Sequence, residues 1–454
     1  MHDLSVIVKA YDVRGTYPDQ IDAATCEALG VGFAEFIKDV EPSTKAIMIG
    51  HDMRPSGPEL VEAFTRGANR QGLDVVNIGL ASTDMMYYAS GSEDKPGVMF
   101  TASHNPAQYN GIKVCRSGAA PIGQDTGLAQ IRATAEAYDA GEVAAAEAPG
   151  ASTTAEMLNA FSDHVRSFIS LDGLRPLKVV ADTANGMGGL VVPEAFAGLP
   201  FDLEVMYEEL DGTFPNHPAD PIQIENLADL RARVVETGAD IGLAFDGDAD
   251  RVFLVDEKGE PVSGSLTTAL LAKATLAVSP GAKIIYNLIC SDVVPEVIEE
   301  NGGIAIRSRV GHSFIKQLMA EEGAEFGGEH SAHYYFARNW RADSGLIAAM
   351  MVLAELSASG GTLSELLEPL KRYAASGEIN TRVSDAAAVI ERVATHYGEL
   401  QQDRVDGLTV RSDDWWFNLR ASNTEPLLRL NLEAADEEAV ANRVEEVQAI
   451  MTSV

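Results

Sequence analysis

The sequence predicts an α/β protein of four domains, three similar α/β domains with mixed sheets followed by a smaller C-terminal α+β domain. Three observations carry this reading. Short β-rich runs alternate with segments of helical period through most of the chain, the signature of βαβ units. At 454 residues and 46% hydrophobic content, the chain exceeds what one core absorbs. The last region then changes character, because "GLTVRSDDWWFNLRASNTEPLLRLNLEA" reads as several strands before one final helix from Asp436 to Met451.

The first domain, expected over 1–149, opens with "KAIMIG" as a strand, "GPELVEAFTRGANRQG" as a helix, "DVVNIG" as a strand and "GVMFTASHNP" as a strand leaving into a turn. An Ala, Glu and Gly-rich stretch near residue 150 reads as a helix end and linker. The second, expected over 150–257, runs from "LKVVADTANGMGG" to "IGLAFDGDADRVFLVDEKGEP". A third, expected over 258–371, takes in "SGSLTTALLAKATL", the strand "AKIIYNLIC" and the helices "SGLIAAMMVLAEL" and "TLSELLEPL". Residues 372–454 form the fourth.

Charge narrows the function. With 34 basic and 68 acidic residues the formal charge is −34, which argues against nucleic acid and against anionic lipid as partners. An anionic substrate would be repelled globally, so positive groups must be gathered locally; screening over about 8 Å makes such clusters decisive. Cys26, Cys115 and Cys290 are isolated and form no disulfide framework, as in a reducing compartment. The opening "MHDLSVIVKAYDVRG" lacks the features of a signal peptide, and "GLIAAMMVLA" is too short to span a bilayer. The expected location is the cytoplasm.

"DGDADR", Asp246 to Arg251, lies between the apolar runs "IGLAF" and "VFLV". Three carboxylates at alternating positions, spaced by Gly247 and Ala249, can wrap a hard cation, with Mg²⁺ the natural candidate. An EF-hand loop would place Glu257 at its twelfth position, but Arg251 stands at the sixth, where that loop needs glycine. A phosphatase with a nucleophilic aspartate in D-x-D form, and a plain acidic turn, are the competing readings.

"TASHNP" puts Ser103 beside His104 with no G-x-S-x-G elbow. A proline-stopped Ser/Thr/Asn turn accounts for it locally. Near a bound divalent ion, however, the serine can carry a phosphoryl group whose charge the metal neutralises. "RASNTEPLLR" gathers Arg420, Ser422, Asn423, Thr424 and Arg429, the guanidinium, hydroxyl and amide donors that a phosphate monoester needs. In "GGEHSAHYYF", Glu329 and Ser331 can bond sugar hydroxyls, and His330 and His333 lack the H-E-x-x-H spacing of a zinc site. Smaller signals are "KAYDVRG" with Arg14, "YNGIK" with Lys113, and "VGHSFIK" with His312 and Lys316.

Together these motifs resemble the α-D-phosphohexomutase superfamily, and within it the phosphomannomutase/phosphoglucomutase group, over essentially the whole chain. "TASHNP" looks like its phosphoserine loop, "DGDADR" its metal loop, "GEHSAH" its sugar-binding loop and "RASNTEP" its phosphate-binding loop, in order and one per domain. The resemblance implies a central cleft in which Ser103, phosphorylated at rest, completes the coordination of Mg²⁺ held by Asp246, Asp248 and Asp250. It implies transfer to a hexose phosphate through a 1,6-bisphosphate that turns around. Arg14, His104 and Lys113 would contact the phosphoserine and handle the proton, Lys113 as general acid/base with a lowered pKa. Glu329 and Ser331 would grip the 3- and 4-hydroxyls, with His312 and His333 on the same wall and Arg251 also in the substrate-binding set. The loop of Arg420, Ser422, Asn423 and Thr424, with Arg429, would hold the remote phosphate, and its domain would hinge.

Two departures from the family pattern stand out. Ile289 and Cys290 occupy a segment where some relatives carry lysine, and His51 replaces an arginine while Arg54 is kept. The expected activity is a Mg²⁺-dependent phosphomannomutase, acting also on glucose phosphates, as a monomer or homodimer. The alternatives are a phosphoglucosamine mutase or a metal-dependent sugar phosphatase.

Overall fold

The computed structural model describes residues 3–421 and 427–452. Four sheets follow one another along the chain. The first three share one plan, a parallel centre extended on one side by an antiparallel strand. In the first, Asp74–Leu80, Ala46–His51 and Gly97–Phe100 run parallel, and Tyr109–Arg116 returns antiparallel to Gly97–Phe100. The second sets Asp202–Met206, Lys178–Asp182 and Ile241–Phe245 parallel, with Val252–Asp256 returning. In the third, Ile304–Ser308, Lys283–Asn287 and Phe326–Gly328 are parallel and Tyr334–Phe336 returns. The fourth sheet, Ala374–Arg382 to Gln401–Asp403, is antiparallel throughout and backed by the helices Ala386–His396 and Glu437–Thr452.

This plan positions the chemistry. The first three signature stretches each join a strand to its antiparallel neighbour, so each is the turn of one hairpin; the fourth begins at the end of Trp415–Ala421, which pairs antiparallel with Leu427–Ala434. In the first three domains that turn lies beyond the carboxyl end of a central strand, where open α/β sheets bind ligands.

Two short strands lie just past the expected domain limits. Ser152–Thr154, past 149, pairs in parallel with Asp74–Leu80 as the last strand of the first sheet. Pro261–Val262, past 257, closes the second sheet. Both are too short for an alternation to register in sequence, and Ser152–Thr154 is exposed throughout.

One buried core runs through the first three domains, from Met48 and Met99 through Phe161, Val180 and Phe245 to Leu353 and Leu367. The fourth domain has a separate core around Val393, Phe417 and Leu430. Polar contacts carry its junction with the third: Arg411 grips Asp292 with two bonds of 2.8 and 2.9 Å, and Arg307 meets Asp403 at 2.7 Å. The apolar helix Gly345–Ser359 is core, and no single helix among the described residues is long and apolar enough to cross a membrane.

Candidate active site

Arg54 builds the serine loop. Its side chain is fully buried, and its guanidinium donates to the carbonyls of Ser103 (2.9 Å), Asn105 (2.6 Å), Pro106 (2.9 Å) and Tyr109 (2.9 Å). Asp52 balances its charge at 3.2 Å. The Ser103 amide donates to Thr101 Oγ1 at 2.8 Å, and Ser103 sits in the left-handed region at φ 49. Backbone of that kind costs about 1–3 kcal/mol and persists where its surroundings over-determine it.

The acidic loop meets the serine directly. Ser103 Oγ donates to Asp246 Oδ2 at 2.8 Å. Gly247 permits the approach, since a Cβ there would lie 2.4 Å from the Ser103 carbonyl oxygen. Asp246, Asp248 and Asp250 are all buried, and one oxygen from each lies within 4.8 Å of the others. Asp248 Oδ1 and Asp250 Oδ1 are buried without a hydrogen-bond partner. Orphaned carboxylate oxygens are costly in a protein interior, and an all-oxygen set suits Mg²⁺, so these residues fit a hard divalent cation. A second group, Asp250 with His333 and Asp343, is as compact. It suits a cation less, because Lys316 and His333 already take the two oxygens of Asp343, at 2.7 and 2.9 Å.

Positive side chains enclose the acids. Lys113 donates to Asp248 Oδ2 at 2.8 Å and to Asp250 Oδ2 at 2.6 Å. Burial opposes its charge, but the two carboxylates outweigh burial and hold its pKa well above the ordinary lysine value, opposite in direction to the expected lowering. Arg251 pairs with Asp246 Oδ2 at 2.9 Å and donates to His104 Nδ1 at 2.6 Å. Burial, then Arg251 and Arg14, push the His104 pKa well below its usual value, so the ring is neutral and accepts at Nδ1. Asp246 rises to about 7 because burial and its carboxylate neighbours outweigh Arg251. Asp248 is lowered: burial opposes this, and Lys113 prevails.

Arg14 reaches the serine loop through Asn105 Oδ1 at 2.7 Å. His333 lies 2.9 Å from Asp343 and 4.0 Å from Asp250; both carboxylates raise its pKa against burial. Ser103, His104, Lys113, Arg251, His333 and the three aspartates thus form one contact network, with Arg14 at its edge. Apart from His333, the sugar-loop residues Glu329 and Ser331 stand outside it. Glu329 is held by the Tyr335 hydroxyl at 2.7 Å and by Asn287 Nδ2 and the Gly311 amide at 3.2 Å each. His312 packs edge-on against Tyr11, and burial lowers its pKa to about 3. Ser331 is half-buried in the same turn.

In the fourth domain Arg420 and Arg429 are opposed on adjacent strands. Glu378 lies 3.9 Å from the first and 3.6 Å from the second, and Asp406 lies 3.6 Å from Arg420. Ser422, Asn423 and Thr424 lie outside the described residues. Asp406 also accepts from the Val310 amide at 3.2 Å, which ties this cluster to the turn carrying His312.

Four groups escaped the sequence reading: the role of Arg54, and Thr83, Asp84 and Asp343. Thr83 donates to Asp248 Oδ2 at 2.5 Å, and Asp84 accepts from Ser344 Oγ at 2.6 Å and from Ser82 Oγ. The "DMR" and "STD" stretches after strands were the available signals, as polar runs at the carboxyl ends of strands.

Residues 5–142, 159–259 and 263–373 match the phosphoglucomutase/phosphomannomutase alpha/beta/alpha domains I, II and III, and 378–450 match the C-terminal domain. The four domains in this order are the signature of the α-D-phosphohexomutase superfamily, whose members are mutases, enzymes of the isomerase class. The chain is 40% identical over 450 residues to the phosphohexose mutases of Xanthomonas campestris, covering 98% of each. It is 39% identical over 437 residues to a phosphomannomutase of Escherichia coli K12, covering 94% of each. A crystal structure of a phosphoglucomutase/phosphomannomutase family protein from Burkholderia thailandensis superposes with a TM-score of 0.89 at 30% identity, covering 99% of this chain and 98% of that one. The chain belongs to the phosphoglucomutase/phosphomannomutase family.

Proposed function

We propose that the protein interconverts mannose 6-phosphate and mannose 1-phosphate, and also the glucose pair, through a phosphoserine at Ser103 and a hexose 1,6-bisphosphate. One observation carries the reading: Ser103 Oγ lies 2.8 Å from Asp246 in a triad whose other two members present unpartnered oxygens. Phosphomannomutases at about 40% identity support the sugar. Expected divisions near residues 149, 257 and 371 give each domain one of the four loops. The enzyme would work in the cytoplasm as a monomer or homodimer.

Asp246, Asp248 and Asp250 would hold Mg²⁺, which when bound supplies charge neutralisation at the phosphoryl oxygens. In transfer, the bond from Ser103 Oγ to phosphorus breaks and a bond from the sugar hydroxyl oxygen to phosphorus forms. Lys113, held protonated, would give a proton to the serine oxygen and take one from the sugar hydroxyl, ending as it began. Arg14, neutral His104 and Arg251 would orient the phosphoserine. Glu329, Ser331, His312 and His333 would position the sugar ring, and Arg420, Ser422, Asn423, Thr424 and Arg429 the remote phosphate. That phosphate needs one fixed site, because each end of the sugar faces Ser103 in turn.

The test is intact mass spectrometry with peptide mapping, before and after incubation with hexose 1,6-bisphosphates. Phosphate on Ser103 is the expected result, and its absence after both treatments overturns the mechanism. Ser103→Ala should lose nearly all mutase activity, whereas a phosphatase using Asp246 would keep its hydrolysis. Steady-state kinetics on mannose, glucose and glucosamine phosphates then rank the sugars.

A further inference from the structure

Asp248 belongs to the second domain, yet much of what holds it comes from the first. Thr83 begins the helix Thr83–Glu93 and is fully buried. Its amide donates to the Asp248 carbonyl at 3.0 Å and its hydroxyl to Asp248 Oδ2 at 2.5 Å. Lys113 donates to the same oxygen at 2.8 Å. With two donors on Oδ2, the carboxylate cannot turn without breaking both bonds, and its other oxygen, Oδ1, is left buried and unpartnered.

We propose that Thr83 is a positioning residue for the metal: it decides which oxygen of Asp248 faces the cation. The inference rests on the metal-loop reading above. Partners of this kind orient a ligating carboxylate, and their loss weakens metal binding about 10–100-fold. Thr83 can do this because its own helix is anchored. The next residue, Asp84, accepts from Ser344, the N-cap of Gly345–Ser359 in the third domain. A Cβ at Gly345 would lie 2.6 Å from the Arg251 carbonyl carbon, so that helix in turn abuts the end of the acidic loop. The start of one helix from each flanking domain therefore braces the loop that the second domain supplies.

The experiment measures binding without turnover: calorimetric titration of Mg²⁺ into the full-length protein, with Mn²⁺ paramagnetic resonance as a second probe. Thr83→Val keeps the shape and removes the hydroxyl; it should weaken both ions about tenfold or more. Thr83→Ser restores the donor and should bind within about threefold of wild type. Thr83→Ala replaces Thr83→Val where the valine chain does not fold, judged by circular dichroism. Equal affinity in the hydroxyl-free variant and wild type overturns the inference and leaves the metal loop standing. A serine variant as weak as the valine one overturns it too. A wild type that binds neither ion overturns the metal reading itself, and this inference with it; Asp248→Asn, expected to bind far more weakly than Thr83→Val, separates the two failures.

Discussion

Gly247 packs so closely on Ser103 that a Cβ there would lie 2.4 Å from the serine carbonyl oxygen and 3.2 Å from its carbonyl carbon. The close contact is backbone against backbone, so no side chain can swing aside. Gly247→Ala must therefore part the two loops, lengthening the 2.8 Å contact between Ser103 Oγ and Asp246. A displacement near 1 Å at a reacting group costs about a hundredfold in rate. The expected outcome is a fall in kcat of that order with KM little changed, and slower phosphorylation of Ser103 by hexose bisphosphate, read by intact mass.

Arg54 is the second place where one residue carries the loop. Four carbonyls and one carboxylate depend on a side chain with no solvent exposure. Arg54→Met leaves Asp52 as a buried charge without its partner, a loss of about 3–5 kcal/mol. Urea unfolding should show the midpoint falling accordingly. Arg54→Lys should recover little, since an ammonium cannot match the planar fork that spans these acceptors.

Asp84 gives the pH dependence a sign. Burial pushes its pKa from 3.8 up to about 7, against the hydroxyls of Ser344 and Ser82. Between those values the folded chain keeps a proton that the unfolded chain has lost. The stability this proton confers is complete below pH 4 and is lost as pH rises to about 7, at about 1.4 kcal/mol per pH unit. Asp84→Asn should flatten that segment of the stability curve and leave the variant relatively more stable at pH 7.5 than at pH 5. Denaturant titrations of both chains at the two pH values provide the check.

What the sequence made legible follows from the kind of signal each residue leaves. Ser103 and the three aspartates announce themselves because they are polar side chains in short turns between apolar strands. Thr83 leaves only the short polar run "STD", which names no partner, and Ser344 no more: their partners lie 165 and 260 residues away, and only the folded chain joins them. The direction of the Lys113 pKa was beyond reach for the same reason. Its isolated motif, "YNGIK", says nothing of the two carboxylates from another domain that hold its proton. The strand Ser152–Thr154 was missed because three exposed residues in an Ala and Gly-rich stretch carry no period.

The fourth domain is joined to the rest of the chain through polar contacts. Its core is separate from the one the other three share, and its junction rests on ion pairs such as Arg411 with Asp292 and Arg307 with Asp403. Within it, Arg420 and Arg429 are forced opposite each other across two strands, an arrangement that like charges disfavour. Glu378 relieves this only at 3.6 to 3.9 Å, and Arg429 Nε is buried without a partner among the described residues. A phosphate dianion would satisfy both guanidiniums at once, so binding there should draw the domain toward the acidic loop. Small-angle scattering should record a smaller radius of gyration when a hexose 1,6-bisphosphate is added to the wild type. In Arg420→Ala/Arg429→Ala the radius should not change, and KM for hexose phosphates should rise about a hundredfold or more, since each charged hydrogen bond lost is worth about 1.5–3 kcal/mol and two are removed. An unchanged wild-type radius at saturating bisphosphate overturns the predicted closure.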